Sequence, residues 1–403
     1  MSKKSSSTAM PTVWVGTDVR VIRRDGAYIA THPALNDQVI DRCRAAGTRV
    51  VLVAREVDSW ETEASNISAM DDIALLQDGP GGPLRRLFYL VSQVFRLHVT
   101  RHDAVVTRIP EVISTSLWAR GLLARCATVA NFVAEGPAAI HFLGRSSPRL
   151  HPIFERMCQV IARMSTATVY VTRSLLQERY PPKSPLTIAQ SNVQLPEDWH
   201  QGGARAFTDG EARRLVAIGT LESNGKGIDL LIRALELAGR EVQGLSLTVV
   251  GDGSSRSDLE ALARHLKVQD QVRFAGFLST KEELAAVLDA SDLLVMPSRF
   301  EGLPRAAVEA QARGLPCLAS DVGGLPEVVP AEGIHHVGDV DELARMVVRA
   351  HRDGDYTTRL AADGYRLAIE IKDAAHPRHF AKLVQEAMAR KKDDAGQKST
   401  DGS

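Results

Sequence analysis

Short runs of β-branched and apolar residues alternate with longer amphipathic stretches along most of the chain, a rhythm that predicts parallel strands joined by helices. In the first half, strands are predicted at Thr12–Gly16, Arg49–Ala54, Ile73–Leu76, Ala104–Arg108, Ala127–Val133 and Thr168–Thr172, with amphipathic segments such as Asp37–Ala46 between them. A second set is predicted at Arg214–Gly219, Ser246–Gly251, Val272–Ala275, Leu293–Met296, Cys317–Ala319 and Ile334–Val337. The fold class is therefore α/β, with two doubly wound parallel sheets. A chain of 403 residues suits two such domains, and two cores imply a cleft between them. The polar, glycine-rich segment 198–210 reads as the linker between a domain at 11–197 and another at 211–373. Beyond residue 374, Phe380, Leu383, Val384 and Ala387 share one helical face within Pro377–Met388, so a last helix must pack against something and has the reach to cross back to the first domain. Residues 1–10 and 391–403 have the composition of disordered tails.

Charge narrows the classes of partner. Lysine plus arginine, 49, equals aspartate plus glutamate, 49, so no global field draws the chain to nucleic acid, and any binding surface must be local. Cys43, Cys126, Cys158 and Cys317 stand singly with no C-x-x-C pair, which argues against disulfides and zinc and fits a reducing cytoplasm. Met1–Met10 lacks the apolar core of a secretion signal, and no uncharged apolar run approaches the roughly 18–20 residues that span a bilayer.

Candidate chemistry concentrates in the second half. A strand-like run ending at Pro297 leads through Ser298-Arg299-Phe300 into Glu301-Gly302-Leu303-Pro304 and then a helical pattern. Open α/β sheets bind ligands beyond the carboxyl ends of their strands, where a helix N-terminus offers amide donors to an anion. Gly302 permits close backbone approach, Leu303 lies beside it, and Pro304 suits a helix start. Glu301 and Glu309 are eight residues apart, one in the loop and one inside the helix; one could hold a ribose diol and the other the hydroxyls of a sugar. Glutamates at helix starts ordinarily just complement the helix dipole, so the spacing alone is weak. Two further strand ends add Gly219-Thr220 with Lys226, whose ammonium could neutralise a departing diphosphate, and Gly251-Asp252-Gly253, followed by Gly276. Gly251 and Gly253 lack the third glycine of a dinucleotide fingerprint, which sets an oxidoreductase aside.

In order along the chain, Lys226-Gly227, Val250-Gly251-Asp252-Gly253, Val272-Arg273-Phe274-Ala275-Gly276-Phe277, the Glu-x7-Glu stretch Glu301 to Glu309, and Gly323-Gly324-Leu325-Pro326-Glu327 resemble the retaining glycosyltransferases of family 4, which have the GT-B fold. The strong resemblance covers about residues 212–330. It implies a nucleotide-diphosphate sugar donor, UDP- or GDP-linked, with Lys226 at its phosphates, Glu309 at its ribose and Glu301 at the transferred sugar. It further implies that Gly219, Thr220, Gly251, Gly253, Gly276, Gly302, Leu303 and Pro304 line the donor site, and that configuration is retained with no metal and no other cofactor. The family commonly carries arginine where this chain has Thr220, and paired glycines in the first N-terminal loop, where only Gly26 stands after Asp25.

The N-terminal half is expected to receive a saccharide or lipid-linked acceptor, with Glu135 and His141 as candidates after a strand and Gly26 in the first loop. The Tyr170 to Val193 region resembles a branch acting in cell-surface polysaccharide or glycolipid assembly. Residues 85–97 are basic, aromatic and amphipathic, which suits peripheral contact with the inner face of a membrane as well as a core helix with snorkelling arginines. Two rival readings stay open: an epimerase or phosphorylase on the same scaffold, and a catalytically silent subunit that binds sugar nucleotides.

Overall fold

Fully buried runs such as Ala104–Ile109 and Ala127–Phe132 can hide both faces only in the middle of a sheet covered by helices on each side, and that is where the chain puts them. A computed structural model describes residues 11–24, 27–30, 42–44, 46, 48–56, 65–66, 72–77, 83–134, 151–193 and 195–400. The contacts divide the chain into two units, unit 1 being residues 1–192 with 376–403 and unit 2 being 193–375.

Unit 1 contains strands β1 (Thr12–Arg24), β2 (Ala27–Ala30), β3 (Arg49–Glu56), β4 (Ser65–Asn66), β5 (Asp72–Leu76), β6 (Ala104–Ile109), β7 (Ala127–Phe132), β8 (Ala167–Tyr170) and β9 (Thr187–Ala189). Its helices are α1 (Pro83–Arg96), α2 (Val112–Ala124), α3 (His151–Met164) and the short α4 (Leu175–Arg179). The parallel order is β5-β3-β1-β6-β7-β8-β9. After a register shift the outer part of β1 keeps Arg20 and Val21 beside β3 and, from Val21 to Arg24, pairs antiparallel with β2, which pairs with β4. That ribbon is a departure from the all-parallel expectation: β1 runs past Gly16 to Arg24, and its second half finds its partner in the strand that follows it.

Unit 2 contains β10 (Arg214–Ile218), α5 (Ile228–Gly239), β11 (Ser246–Val250), α6 (Arg256–His265), β12 (Val272–Gly276), α7 (Lys281–Asp289), β13 (Leu293–Met296), α8 (Arg305–Ala312), β14 (Cys317–Ser320), α9 (Leu325–Val328), β15 (Ile334–His335), α10 (Val340–Arg352) and α11 (Gly354–Ala374). Its parallel order is β12-β11-β10-β13-β14-β15. One face is packed by Leu231, Leu235, Leu343 and Val347, the other by Val308, Leu325 and Ile371. Local signals set the helix ends: Thr280 and Glu283 form a capping box on α7, Asp339 caps α10 and Asp353 caps α11.

The last helix, α12 (Pro377–Thr400), starts at a proline just after α11 ends and belongs to unit 1, where Phe380, Leu383, Val384 and Ala387 join Val13, Val106 and Val129 in one core. The tail expected from residue 391 is helical as far as Thr400. The segment predicted as linker belongs to unit 2: the Arg205 guanidinium donates to the carbonyls of Ser291 at 2.7 Å and Leu288 at 3.1 Å, and Gly210 N–H to His351 O at 2.7 Å. Its polarity serves backbone carbonyls at strand and helix ends rather than solvent, a use that composition does not distinguish from a linker.

Candidate active site

The carboxyl ends of β10, β11, β12 and β13 and the loops after them carry Gly219, Thr220, Lys226, Gly251, Gly253, Gly276 and Glu301 to Pro304, while Glu309 follows inside α8. β10 and β13 are neighbours, so the loops that follow them meet. After β10 the chain turns through Gly219 and Thr220 to a tight turn at Asn224–Lys226, and the methylene stem of Lys226 lies across Gly219, where a Cβ would come within 2.8–2.9 Å of it. The Lys226 ammonium donates to Glu301 Oε1, and the Ser298 hydroxyl donates to the same oxygen at 3.1 Å. Ser298 is itself fixed, its carbonyl accepting from Ser320 Oγ at 2.6 Å. Glu301 is held between a cation and a hydroxyl, 75 residues from the lysine in sequence.

Arg299 locks the two loops together. Its guanidinium forms two parallel bonds of 2.8 Å to Asp229 and a third of 2.7 Å to Asn224 O, while its amide donates to Gly225 O at 2.8 Å. The hydrogen bonds it donates to Asp229 hold this guanidinium above its ordinary pKa. The Phe300 ring covers Gly225, where a Cβ would stand 2.6 Å from it.

Gly251 donates to Gly276 O at 2.7 Å and packs on Gly219, and Asp252 O accepts from Leu221 N at 2.9 Å, so the ends of β10, β11 and β12 form one surface. Gly251 has φ 129°, and a Cβ there would lie 2.0 Å from Gly219 O. Gly253 lies against Leu221 and Glu222. Phe277, just after β12, is 78% exposed.

Glu301, Gly302, Leu303 and Pro304 lead into α8. Pro304 takes the capping position rather than the first helical one, and no side chain caps this helix among the described residues. The capping position thus stands three residues after Glu301, which pairs with Lys226, and a helix start without a side-chain cap suits an anion. Two turns further on, Glu309 is buried, and its carboxylate is paired with the ammonium of Lys281, the first residue of α7. Lys281 also stands over the ring of Trp199 at 5.1 Å, with Arg313 over the same ring at 5.4 Å.

Sequence reading missed Lys281, Ser298, Arg299 and Trp199. A signal for Lys281 exists: Thr280-x-x-Glu283 marks a helix start directly after a predicted strand, which puts the lysine at the binding edge. The N-terminal candidates Gly26, Glu135 and His141 lie outside the described residues. At the opposite edge of the same sheet an open hollow of about 720 Å³ is lined by Arg205, Arg214, Asp289 and Asp292, whose charges satisfy one another and nearby backbone groups.

Residues 205–367 match the family model of glycosyl transferases group 1. An MMP alpha-(1->4)-mannosyltransferase from Mycolicibacterium hassiacum is 34% identical over 162 residues, 39% of this chain and 39% of that protein. A GDP-mannose-dependent alpha-(1-6)-phosphatidylinositol monomannoside mannosyltransferase from Mycobacterium tuberculosis is 32% identical over 208 residues, 48% of this chain and 54% of the relative. The chain thus spans about half, or less, of the length of these curated relatives. The Anabaena Alr3699/HepE structure in complex with UDP and glucose superposes with a TM-score of 0.62 at 17% identity, covering 96% of this chain and 100% of that one. With its two α/β units built on largely parallel sheets the chain has the GT-B fold, and its residues 205–367 are similar to the glycosyl transferases group 1 family.

Proposed function

We propose that this chain transfers a sugar from a UDP- or GDP-sugar to a hydroxyl on a saccharide or lipid-linked acceptor, on the cytoplasmic side, in cell-surface polysaccharide or glycolipid assembly. The observation that carries the reading is the Lys226–Glu301 pair set beside the uncapped start of α8, with Glu309 on the same helix. A nucleotide-diphosphate sugar has chemistry for each part: phosphates for the ammonium and amides, a ribose diol for Glu309, sugar hydroxyls for Glu301. The named relatives use mannosyl donors in one branch, and the HepE complex holds UDP, which keeps both donor bases in view.

In the reaction the bond between the sugar's anomeric carbon and the diphosphate oxygen breaks, and the acceptor oxygen bonds to that carbon on the same face. The acceptor proton passes to the departing phosphate, so configuration is retained without a protein nucleophile. Lys226 and the amides of α8 oppose the charge that grows on the diphosphate, the kind of preorganised stabilisation worth several kcal/mol in catalysis. On this reading transfer needs no metal.

Thermal unfolding of the purified chain against a panel of nucleotide diphosphates and their sugars, with EDTA present, tests this directly. One nucleotide sugar at about a hundred times its dissociation constant should stabilise the fold by about 2.7 kcal/mol. Transfer from that donor in EDTA, with the anomeric configuration read by NMR, would support the mechanism. No response to any donor would sink it, and binding without transfer to any acceptor would favour the silent-subunit reading.

A further inference from the structure

Of the eleven large apolar side chains exposed among the described residues, eight lie on α1, α2 and α3 of unit 1. α1 and α2 pack side by side on the first sheet, and the end of α3 meets α2. α1 and α2 share a core through Leu90, Val94, Ile113 and Leu117, and Trp118 of α2 donates to Ser165 at the end of α3 at 3.0 Å. Because Leu90 and Val94 already fill the inward side of α1, Phe88 and Phe95 cannot also face the core. They stand seven residues apart, hence on one stripe of the helix, and point outward, with Phe88 78% exposed. A helix of a water-soluble domain keeps that outward stripe polar, so apolar residues on both sides call for a second apolar environment.

Charge identifies that environment. Between Pro83 and His102 every formal charge is an arginine, namely Arg85, Arg86, Arg96 and Arg101. Arg85 and Arg96 are exposed beside the Phe88 and Phe95 stripe. On α3 the single carboxylate, Glu155, is taken up by Arg179 at 2.6 Å and Tyr180 at 2.9 Å, while Arg156 and Arg163 are exposed beside Ile153, Val160 and Met164. Between α2 and α3 runs an open groove of about 460 Å³, lined by Trp118, Ile153, Met157 and Val160. Among the described residues no helix is long and apolar enough to cross a membrane, so a lipid contact would lie in the plane of the surface.

We propose that the outer face of α1, α2 and α3 docks on an anionic lipid surface. Phe88 and Phe95 enter the boundary between headgroups and acyl chains, the arginines oppose lipid phosphates, and the groove beside Trp118 is open to an acyl chain. The proposal rests on none of the transfer chemistry above, so either can fail alone. The test is co-sedimentation of the full chain with vesicles of phosphatidylcholine alone and of phosphatidylcholine mixed with phosphatidylglycerol. The wild type binds the mixed vesicles. The double variant Phe88→Ser with Phe95→Ser loses roughly tenfold or more in binding. The double variant Arg85→Glu with Arg96→Glu loses about fivefold or more per arginine, and high salt does the same to the wild type. Val337→Ser, an exposed apolar position in unit 2, leaves binding unchanged. Absence of binding to either vesicle, or binding that both double variants retain, overturns the proposal. So does a dimer that Phe88→Ser with Phe95→Ser dissociates while vesicles bind nothing, since the face would then be an interface between copies.

Discussion

The two sheets share one plan, yet they close their carboxyl edges in opposite ways. In unit 1 the strand pair β1 and β6 corresponds to β10 and β13 in unit 2, and α2 follows β6 as α8 follows β13. In unit 1 Asp18, at the register shift within the long β1, has a carboxylate that accepts from the amides of Val112 at 2.8 Å and Ile113 at 2.7 Å and so caps α2. Glu111 accepts from the Asp18 amide at 2.9 Å and pairs with Arg108 at 2.8 Å. In unit 2 β10 stops at Ile218, and the loop after it supplies Lys226, which pairs with Glu301 and leaves the start of α8 uncapped. A helix start that the protein fills with its own carboxylate has no charge left to offer, whereas one left open beside a lysine can take an external anion. Equivalent positions in one architecture are thus spent on stability in the first sheet and kept available in the second.

The largest expected effect comes from removing the cation that marks this difference. Lys226→Ala should lower kcat for sugar transfer by about 10²–10³-fold with a smaller change in donor affinity, measured by steady-state kinetics alongside calorimetric donor binding. Glu309→Ala should act the other way round, raising KM for the donor roughly tenfold with kcat less affected, because the ribose contact proposed for it would be made equally in ground and transition states. If both substitutions leave both parameters near wild type, the donor site has been misplaced.

Thr220 offers a way to move unit 2 towards or away from the arrangement in unit 1. Thr220→Asp brings a carboxylate beyond β10, as Asp18 brings one to the helix start in unit 1, and donor affinity should fall several-fold; Thr220→Arg should raise it by a similar factor. Equal affinities for the two variants by the same calorimetry would separate Thr220 from the phosphates.

The smallest effect concerns Asp18 itself. Desolvation of its carboxyl and the neighbouring Glu111 outweigh the bonds from the Ile113 and Val112 amides and raise its pKa from 3.8 to about 6. Between those values the folded chain keeps a proton that the unfolded chain releases, so this group makes stability fall as pH rises from about 4 to about 6. Asp18→Asn should flatten that slope, and urea midpoints at either end of the window would show it. An unchanged slope would mean that the fall has another source.

Local pattern was enough for much of this. β-Branched runs bounded by turns located the core strands of both sheets, and the four apolar residues of α12 announced a helix that had to find a core. Glycines spaced for strand-to-helix turns, with Glu301 and Glu309, pointed to the edge at which a donor would sit. Pattern was less informative where the partner lies far away in sequence. The antiparallel ribbon of β2 and β4 and the short edge strand β9 carry too few alternating residues to stand out, and their pairing is fixed only by the strands beside them. Arg205 read as part of a polar linker because its acceptors are carbonyls 83 and 86 positions on.

The sequence by itself determined the α/β class, the two sheets, the strand-end edge of the candidate site and the carboxylates placed along it, because each of these depends on periodicity or spacing within one strand–loop–helix unit. Tertiary structure alone decided which charges meet: Lys226 with Glu301, Lys281 with Glu309, Asp18 with the start of α2. It also decided that α12 completes the core of unit 1, and that Phe88 and Phe95 face outward while Leu90 and Val94 face in. Those outcomes follow from strand order and helix rotation, which bring together groups tens to hundreds of residues apart, and no local pattern encodes where the other half of such a pair will be.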